Sequence, residues 1–114
     1  MKVLKAGHLY ELSNFENKDA EGQKIQFIEK EVKFTTNEFE NGYNSIKSEL
    51  VTINDGTTNE EVLEVLINRL QVLSAKLPSR ETSLAITKLE EALMWLNKRT
   101  ADRIKRNVEG TNLS

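Results

Sequence analysis

Four side chains in the last third of the chain have the types and spacing to bind a phosphorylated aromatic compound. They are Trp95, Arg99, Arg103 and Arg106. In an α-helix, residues four, eight and eleven positions apart lie along one face. Guanidinium groups bind phosphate oxygens through paired, charge-assisted hydrogen bonds, and an indole ring gives a base a surface to stack on. The spacing therefore predicts a pocket for a nucleotide or a phosphate ester.

The same four residues also have a structural explanation. Arginines late in a helix interact favourably with the helix dipole, and Trp95 would then be a core residue. Asp102 is spaced to neutralise either Arg99 or Arg106, whereas Arg103 has no acidic residue three or four positions away. The sequence leaves both explanations open.

Two smaller groups of residues are further candidates for ligand contacts. One lies at the start of a predicted helix, where free amides, hydroxyls and an arginine can bind an anion; it comprises Arg80, Thr82 and Ser83. Ordinary capping by Ser79 explains that group equally well. The other is Asn14 with Phe15 at a strand end, where the ring either stacks on a ligand or belongs to the core.

Composition excludes most enzyme classes. The 114 residues include no cysteine and one histidine, His8, so thiol catalysis, cysteine-bound zinc and multi-histidine metal sites are excluded. No nucleophile and base can be paired, and we expect no catalysis, no metal and no cofactor. The longest apolar run, Ala92 to Leu96, is far shorter than the roughly 20 residues of a membrane helix.

The net charge of −2 conceals an asymmetry along the chain. Residues 1–61 carry 7 basic and 12 acidic side chains, whereas residues 62–114 carry 9 basic and 6 acidic ones. A nearly neutral chain with one compact basic segment favours a small anionic ligand or a subunit contact over polymeric nucleic acid. Two separately solvated faces would give the same asymmetry.

The pattern of apolar residues predicts an α+β fold, a small N-terminal antiparallel β-sheet followed by a long antiparallel helical hairpin. We expect a single domain with a β-rich part at 1–56, the hairpin at 57–110 and a tail at 111–114. Strands are predicted at 8–15, 24–34 and 49–53, with a bulge near Phe27 and Ile28, where the alternation slips. Residues 35–48 are predicted to form a long hairpin loop between the second and third strands.

The helices have clearer boundaries. Thr58 and Glu61 form a capping box, Pro78 ends the first helix, Ser79 caps the second, and Gly110 is expected to stop it. An apolar seam follows Ile86, Leu89, Leu93 and Leu96. A helix from 79 to about 108 would be ~45 Å long, whereas a compact monomer of this size is only ~34 Å across. We therefore expect an oligomer, with the far end of this helix at a subunit interface.

Two stretches resemble a known phage family. They are NDGTTNEEVL at 54–63 and AITKLEEALMWLNKRT at 85–100, the latter continuing through Asp102 and Arg103 to Thr111. The chain resembles the phage anti-Thoeris sponges, which are related through their C-terminal helical hairpin to the anti-CBASS cyclic-oligonucleotide sponges.

The resemblance implies a counter-defence protein acting in the cytoplasm of an infected bacterium. Such proteins sequester, without degrading, the cyclic ADP-ribose isomers (glyco-cyclic ADP-ribose) that bacterial TIR-domain enzymes make. They form homodimers, sometimes assembled into hexamers as trimers of dimers, and some also bind cyclic di- or trinucleotides.

The same resemblance assigns the candidate residues to two sites. The cyclic ADP-ribose site would be lined by Asn14, Phe15, Trp95, Arg99, Arg103 and Arg106. A separate cyclic-oligonucleotide site would use Arg80, Thr82 and Ser83. The alternative is an oligomeric adaptor or structural phage protein that binds a protein partner through the Trp95–Arg106 face. A phosphodiesterase would need a metal cluster or acid–base pair that the sequence lacks.

Overall fold

The computed structural model describes residues 1–38, 42 and 44–112, with side chains for 1–36 and 46–106. The chain divides into two compact units, Met1–Thr57 and Thr58–Ser114. The first contains only strands and the second only helices, which confirms the predicted α+β class.

The first unit begins with a three-stranded antiparallel sheet in the order β1-β2-β3. The strands are β1 (Lys2–Lys5), β2 (Leu9–Leu12) and β3 (Gln23–Gln26). We did not predict β1, because its four exposed residues, KVLK, show no alternation of apolar and polar side chains. Gly7 adopts φ +81° in the turn to β2, and its amide donates to the Tyr10 hydroxyl at 2.8 Å. This local turn brings β1 alongside β2.

The second part of this unit is a long antiparallel ribbon of β4 (Glu29–Glu38) and β5 (Asn44–Asn54). The predicted hairpin connection is confirmed, but the predicted loop at 35–48 is too long, because residues 35–38 and 44–48 are paired strand residues. These residues are mostly polar and form no apolar face, so the sequence did not indicate strands. Their pairing depends instead on backbone hydrogen bonds and cross-strand contacts. Residues 39–41 and 43 of the predicted loop lie outside the described residues.

The alternation of apolar and polar residues shifts at Phe27 and Ile28, where the chain leaves the three-stranded sheet and enters the ribbon. β3 ends at Gln26 and β4 begins at Glu29, and Phe27 makes an isolated parallel bridge to Thr57. The predicted bulge inside one strand is thus wrong at that place. The register irregularity lies between Glu29 and Lys30 instead.

The second unit is a hairpin of α1 (Asn59–Lys76) and α2 (Arg80–Asn112). Thr58 caps α1 as predicted, its side chain accepting a hydrogen bond from the Glu61 amide at 3.2 Å. Ser79 caps α2, accepting from the Thr82 amide at 3.1 Å. Gly110 does not stop the helix, which runs on to Asn112. One glycine inside a helix costs only about 1 kcal/mol, too little to end it.

The predicted seam holds the two helices together. Ile67 of α1 is the most buried apolar side chain among the described residues. The remaining seam side chains are half-buried: Leu63 and Leu70 on α1, and Ile86, Leu89, Leu93 and Leu96 on α2. No described helix is long and apolar enough to cross a membrane.

The seam ends level with the start of α1. There, the Thr100 hydroxyl lies 3.4 Å from a Glu60 carboxylate oxygen. Residues 101–112 of α2 therefore extend about 18 Å past the first turn of α1. Every side chain described in this extension, 101–106, is exposed.

Candidate ligand-binding site

The four residues of the arginine stripe, defined as Trp95, Arg99, Arg103 and Arg106, all lie on α2 and are exposed. Trp95 is 63% exposed, so the indole is not a core residue of this chain. The stripe extends about 17 Å along one helix face. The structure thus presents an aromatic ring and three guanidinium groups on one accessible surface.

The charges of the stripe are not neutralised by described carboxylates. Asp102, which is spaced to reach Arg99 or Arg106, instead pairs with Lys98 at 2.9 Å. None of the ion pairs among the described side chains includes an arginine of the stripe. Because like charges on neighbouring turns repel, this surface gains most from an anion that bridges them.

Arg103 and Arg106 lie on the extension of α2, beyond the Thr100–Glu60 contact. On a single exposed helix face, phosphate contacts are fully hydrated and individually weak. A pocket of useful affinity would require further walls around these two guanidinium groups.

The group at the start of α2 is engaged in capping. The Ser79 hydroxyl donates to the Thr82 hydroxyl at 2.8 Å, and the Ser83 hydroxyl donates to the Ser79 carbonyl at 3.1 Å. Arg80 is exposed in the first turn. Capping therefore uses the hydroxyls, and Arg80 is the group best placed to contact an added anion.

Asn14 and Phe15 lie in the loop between β2 and β3. The Asn14 side chain closes this loop, donating to the Glu21 carbonyl at 3.1 Å and accepting from the Gln23 amide group at 2.8 Å. Phe15, the next residue, is 92% exposed, so it is not a core residue. Asn14 thus fixes the loop that presents the Phe15 ring.

A cleft of about 490 Å³ lies beside the same loop, among residues of β1, β2 and the loop itself. Its charged lining residues are Lys2, Glu11, Lys18, Asp19 and Glu21. With both signs present and the acidic residues in the majority, this cleft is poorly suited to a phosphorylated ligand.

Sequence reasoning missed a buried cluster around Glu29. Glu29 is only 7% exposed; its carboxylate accepts from the Lys5 ammonium at 2.6 Å and from the Asn54 amide at 3.1 Å. These hydrogen bonds lower the pKa of Glu29 more strongly than burial raises it. His8 Nε2 lies 4.0 Å from the same carboxylate. No spacing rule links residues 5, 8, 29 and 54, so only the fold could reveal this cluster.

Metal ligation has no support among the described side chains. Within 1–36 and 46–106, no three His, Cys, Asp or Glu residues are grouped closely enough to hold an ion. The sole histidine belongs to the Glu29 cluster rather than to the arginine stripe.

Comparison with known proteins gives two matches. The Acb2/Tad1 hairpin domain matches residues 29–101, which span β4, β5, α1 and most of α2. A relative from Bacillus phage SBSphiJ7, named Thoeris anti-defense 1, is 54% identical over 59 residues. That alignment covers 51% of this chain and 42% of the relative, so the chain matches less than half of the relative's length.

Proposed function

The chain belongs to the Acb2/Tad1 hairpin-domain family, and from this we propose that it is a phage counter-defence protein that sequesters a cyclic ADP-ribose signal. The signal would be a glyco-cyclic ADP-ribose isomer made by a bacterial TIR-domain enzyme, and the protein would act in the cytoplasm of the infected host. The relative named Thoeris anti-defense 1 supports this role.

The observation that carries the proposal is the arginine stripe. Three exposed guanidinium groups without a described carboxylate partner lie on the same helix face as an exposed indole. A cyclic ADP-ribose carries a pyrophosphate and an adenine, and these match bidentate guanidinium contacts and an aromatic stacking surface. Phe15, on the loop that Asn14 closes, is proposed as a second ring contact.

Sequestration also explains why the stripe needs no catalytic group. Binding requires affinity for the ground state, which rigid cations and an aromatic surface supply, whereas hydrolysis requires groups that act on the transition state. The stripe contains neither a carboxylate nor an imidazole. We therefore propose that the ligand is held and released intact.

We further propose that the site is completed by a second copy of the chain, in a homodimer or a hexamer. The α2 extension carries Arg103 and Arg106 beyond the hairpin seam. In addition, α1 exposes apolar side chains that the seam does not cover: Val65, Leu66, Val72 and Leu73. An apolar stripe on a helix is normally covered by a packing partner.

Release of captured ligand tests the function. The protein is incubated with glyco-cyclic ADP-ribose isomers and, in parallel, with cyclic di- and trinucleotides. It is then separated from free ligand and denatured by heat, and the supernatant is analysed by mass spectrometry. We expect intact ligand in amounts comparable to the protein. Altered ligand would identify an enzyme. Failure to retain any cyclic nucleotide would contradict the sponge and favour the adaptor that binds a protein through the Trp95–Arg106 face.

A separate cyclic di- or trinucleotide site at Arg80, Thr82 and Ser83 is a second proposal. It is supported by the exposed Arg80 guanidinium at the N-terminus of α2, where the helix dipole favours anions. The Arg80→Ala variant is expected to lose cyclic trinucleotide retention while keeping that of glyco-cyclic ADP-ribose. Equal loss of both would indicate one shared site.

A further inference from the structure

The Glu29 carboxylate connects parts of the β unit that are far apart in sequence. Its two oxygens accept from Lys5 at 2.6 Å and from Asn54 at 3.1 Å, and His8 lies 4.0 Å away. Glu29 is the one buried charged side chain among the described residues. A carboxylate in such a place is stable only while its partners stay in contact with it.

The partners come from both sheets. Lys5 is the last residue of β1, and His8 lies in the turn that follows, so both belong to the three-stranded sheet. Glu29 begins β4 and Asn54 ends β5, so these two belong to the ribbon. The carboxylate therefore lies at the joint between the two sheets. Separating the sheets would leave this buried charge without its Lys5 partner.

Main-chain hydrogen bonds are also made at this joint. The Phe27 amide donates to the His8 carbonyl at 2.7 Å, and the Thr57 amide donates to the Gln26 carbonyl at 2.8 Å. Gly56 makes this approach possible, because a Cβ there would lie 2.3 Å from the Gln26 carbonyl oxygen. These main-chain bonds fix the chain at the joint, whereas Glu29 supplies the side-chain link from the end of β1 to the ribbon.

We propose that Glu29 is a positioning residue that locks the three-stranded sheet onto the β4–β5 ribbon and thereby sets the place of Phe15. Phe15 extends from the β2–β3 loop of the sheet that Lys5 and His8 attach. The match to the hairpin-domain family starts at Glu29, so the lock joins the preceding residues to the matched range. The consequence for ligand binding rests on the proposed contact between Phe15 and the ligand.

Spin labels test the lock directly, because the chain has no native cysteine to remove. Labels at Glu16→Cys, in the β2–β3 loop, and Lys33→Cys, on the ribbon, report the distance between the two sheets; both native side chains are exposed. We expect one narrow distance distribution for the parent chain and a clearly broader or shifted one for Glu29→Gln, which removes the charge and keeps the shape. Glu31→Gln, an exposed neighbour on the same strand, is the matched control and leaves the distribution unchanged.

A charge-reversed double variant provides a second test of the ion pair if Glu29→Gln does not fold. The double variant Lys5→Glu with Glu29→Lys restores an ion pair of opposite polarity. We expect its distance distribution to be narrower than that of either single variant. A distribution as broad as in the single variants, or no broadening with Glu29→Gln, would overturn the lock.

Ligand retention then tests the positioning of Phe15. Glu29→Gln is expected to retain about tenfold less glyco-cyclic ADP-ribose than Glu31→Gln, because binding must then also order the sheet that carries Phe15. Broadened distances with unchanged retention would overturn the positioning claim while leaving the sponge intact. If the parent chain retains no ligand, the proposed function fails, and the distance measurement still decides the lock.

Discussion

Arg103 differs from Arg99 and Arg106 because Asp102 is spaced to pair with either of them and not with Arg103. The sequence offers it no acidic partner at helical spacing, and it lies on the extension beyond Thr100. The carboxylate of Asp102 is already paired with Lys98. A cation exposed in this way contributes little to stability, so its presence favours a role in binding.

Arg103→Ala is therefore expected to weaken glyco-cyclic ADP-ribose retention while leaving oligomer size and melting temperature unchanged. A charged hydrogen bond contributes about 1.5–3 kcal/mol, or roughly a ten- to hundredfold change in affinity. Equilibrium dialysis measures the loss, and Lys88→Ala, an exposed cation on α2 outside the stripe, is the control. Equal affinity in the two variants would place the ligand elsewhere.

The pH dependence of stability gives a second expectation at the residue scale. The pKa of Glu29 is lowered in the folded protein by Lys5 and Asn54, with His8 adding a smaller effect in the same direction. The stabilisation is therefore present above the ordinary carboxyl pKa and is lost as the pH falls through the lowered one. Thermal melts of the parent and Glu29→Gln chains should differ at pH 7 and converge as the pH falls well below the ordinary carboxyl pKa. A constant difference would contradict this.

At the scale of elements, the hairpin depends on a narrow seam. Ile67 is the most buried apolar side chain described in either unit, while its partners on α2 are half-buried. Because one residue makes a large share of the apolar contacts between the two helices, a cavity at that residue would destabilise the hairpin strongly.

Ile67→Ala is accordingly expected to lower the free energy of unfolding by about 2–4 kcal/mol. Asn68→Ala, the exposed neighbour on the same helix, should stay within about 0.5 kcal/mol of the parent. Urea unfolding followed by circular dichroism compares the two. If both variants lowered the free energy of unfolding equally, the seam would not be the source of the hairpin's stability.

At the scale of the whole molecule, apolar exposure argues for assembly. Where the seam does not cover it, α1 exposes Val65 by 61% and Val72 by 50%, with Leu66 and Leu73 alongside. The ribbon likewise exposes Phe34 and Ile46, by 72% and 75%. Contiguous apolar patches of this kind usually mark interfaces.

Val72→Glu is expected to dissociate the oligomer if α1 contributes to the interface, since a buried unpaired carboxylate costs several kcal/mol. Gln71→Glu adds the same charge at an exposed polar neighbour and should leave assembly intact. Sedimentation velocity at micromolar concentration distinguishes a 13.0 kDa chain from its multiples. A monomeric parent chain would contradict the proposed assembly.

The sequence by itself determined the features that depend on local chemistry. Helical periodicity, the Thr58 and Ser79 caps and Pro78 are short-range signals, and they predicted both helices and the seam between them. The arginine stripe followed from the same periodicity. Strand pairing is not local, so β1, the length of the ribbon and the passage between sheets at Phe27 and Ile28 emerged only in the structure.

Burial and charge pairing were decided by tertiary structure for the same reason. Trp95 and Phe15 had two explanations in the sequence, and only their exposure excluded the core. Asp102 had four basic residues within helical reach, and side-chain geometry selected Lys98. Glu29 meets Lys5 and Asn54 across 24 and 25 residues, a distance that no periodic pattern spans and that only the folded backbone closes.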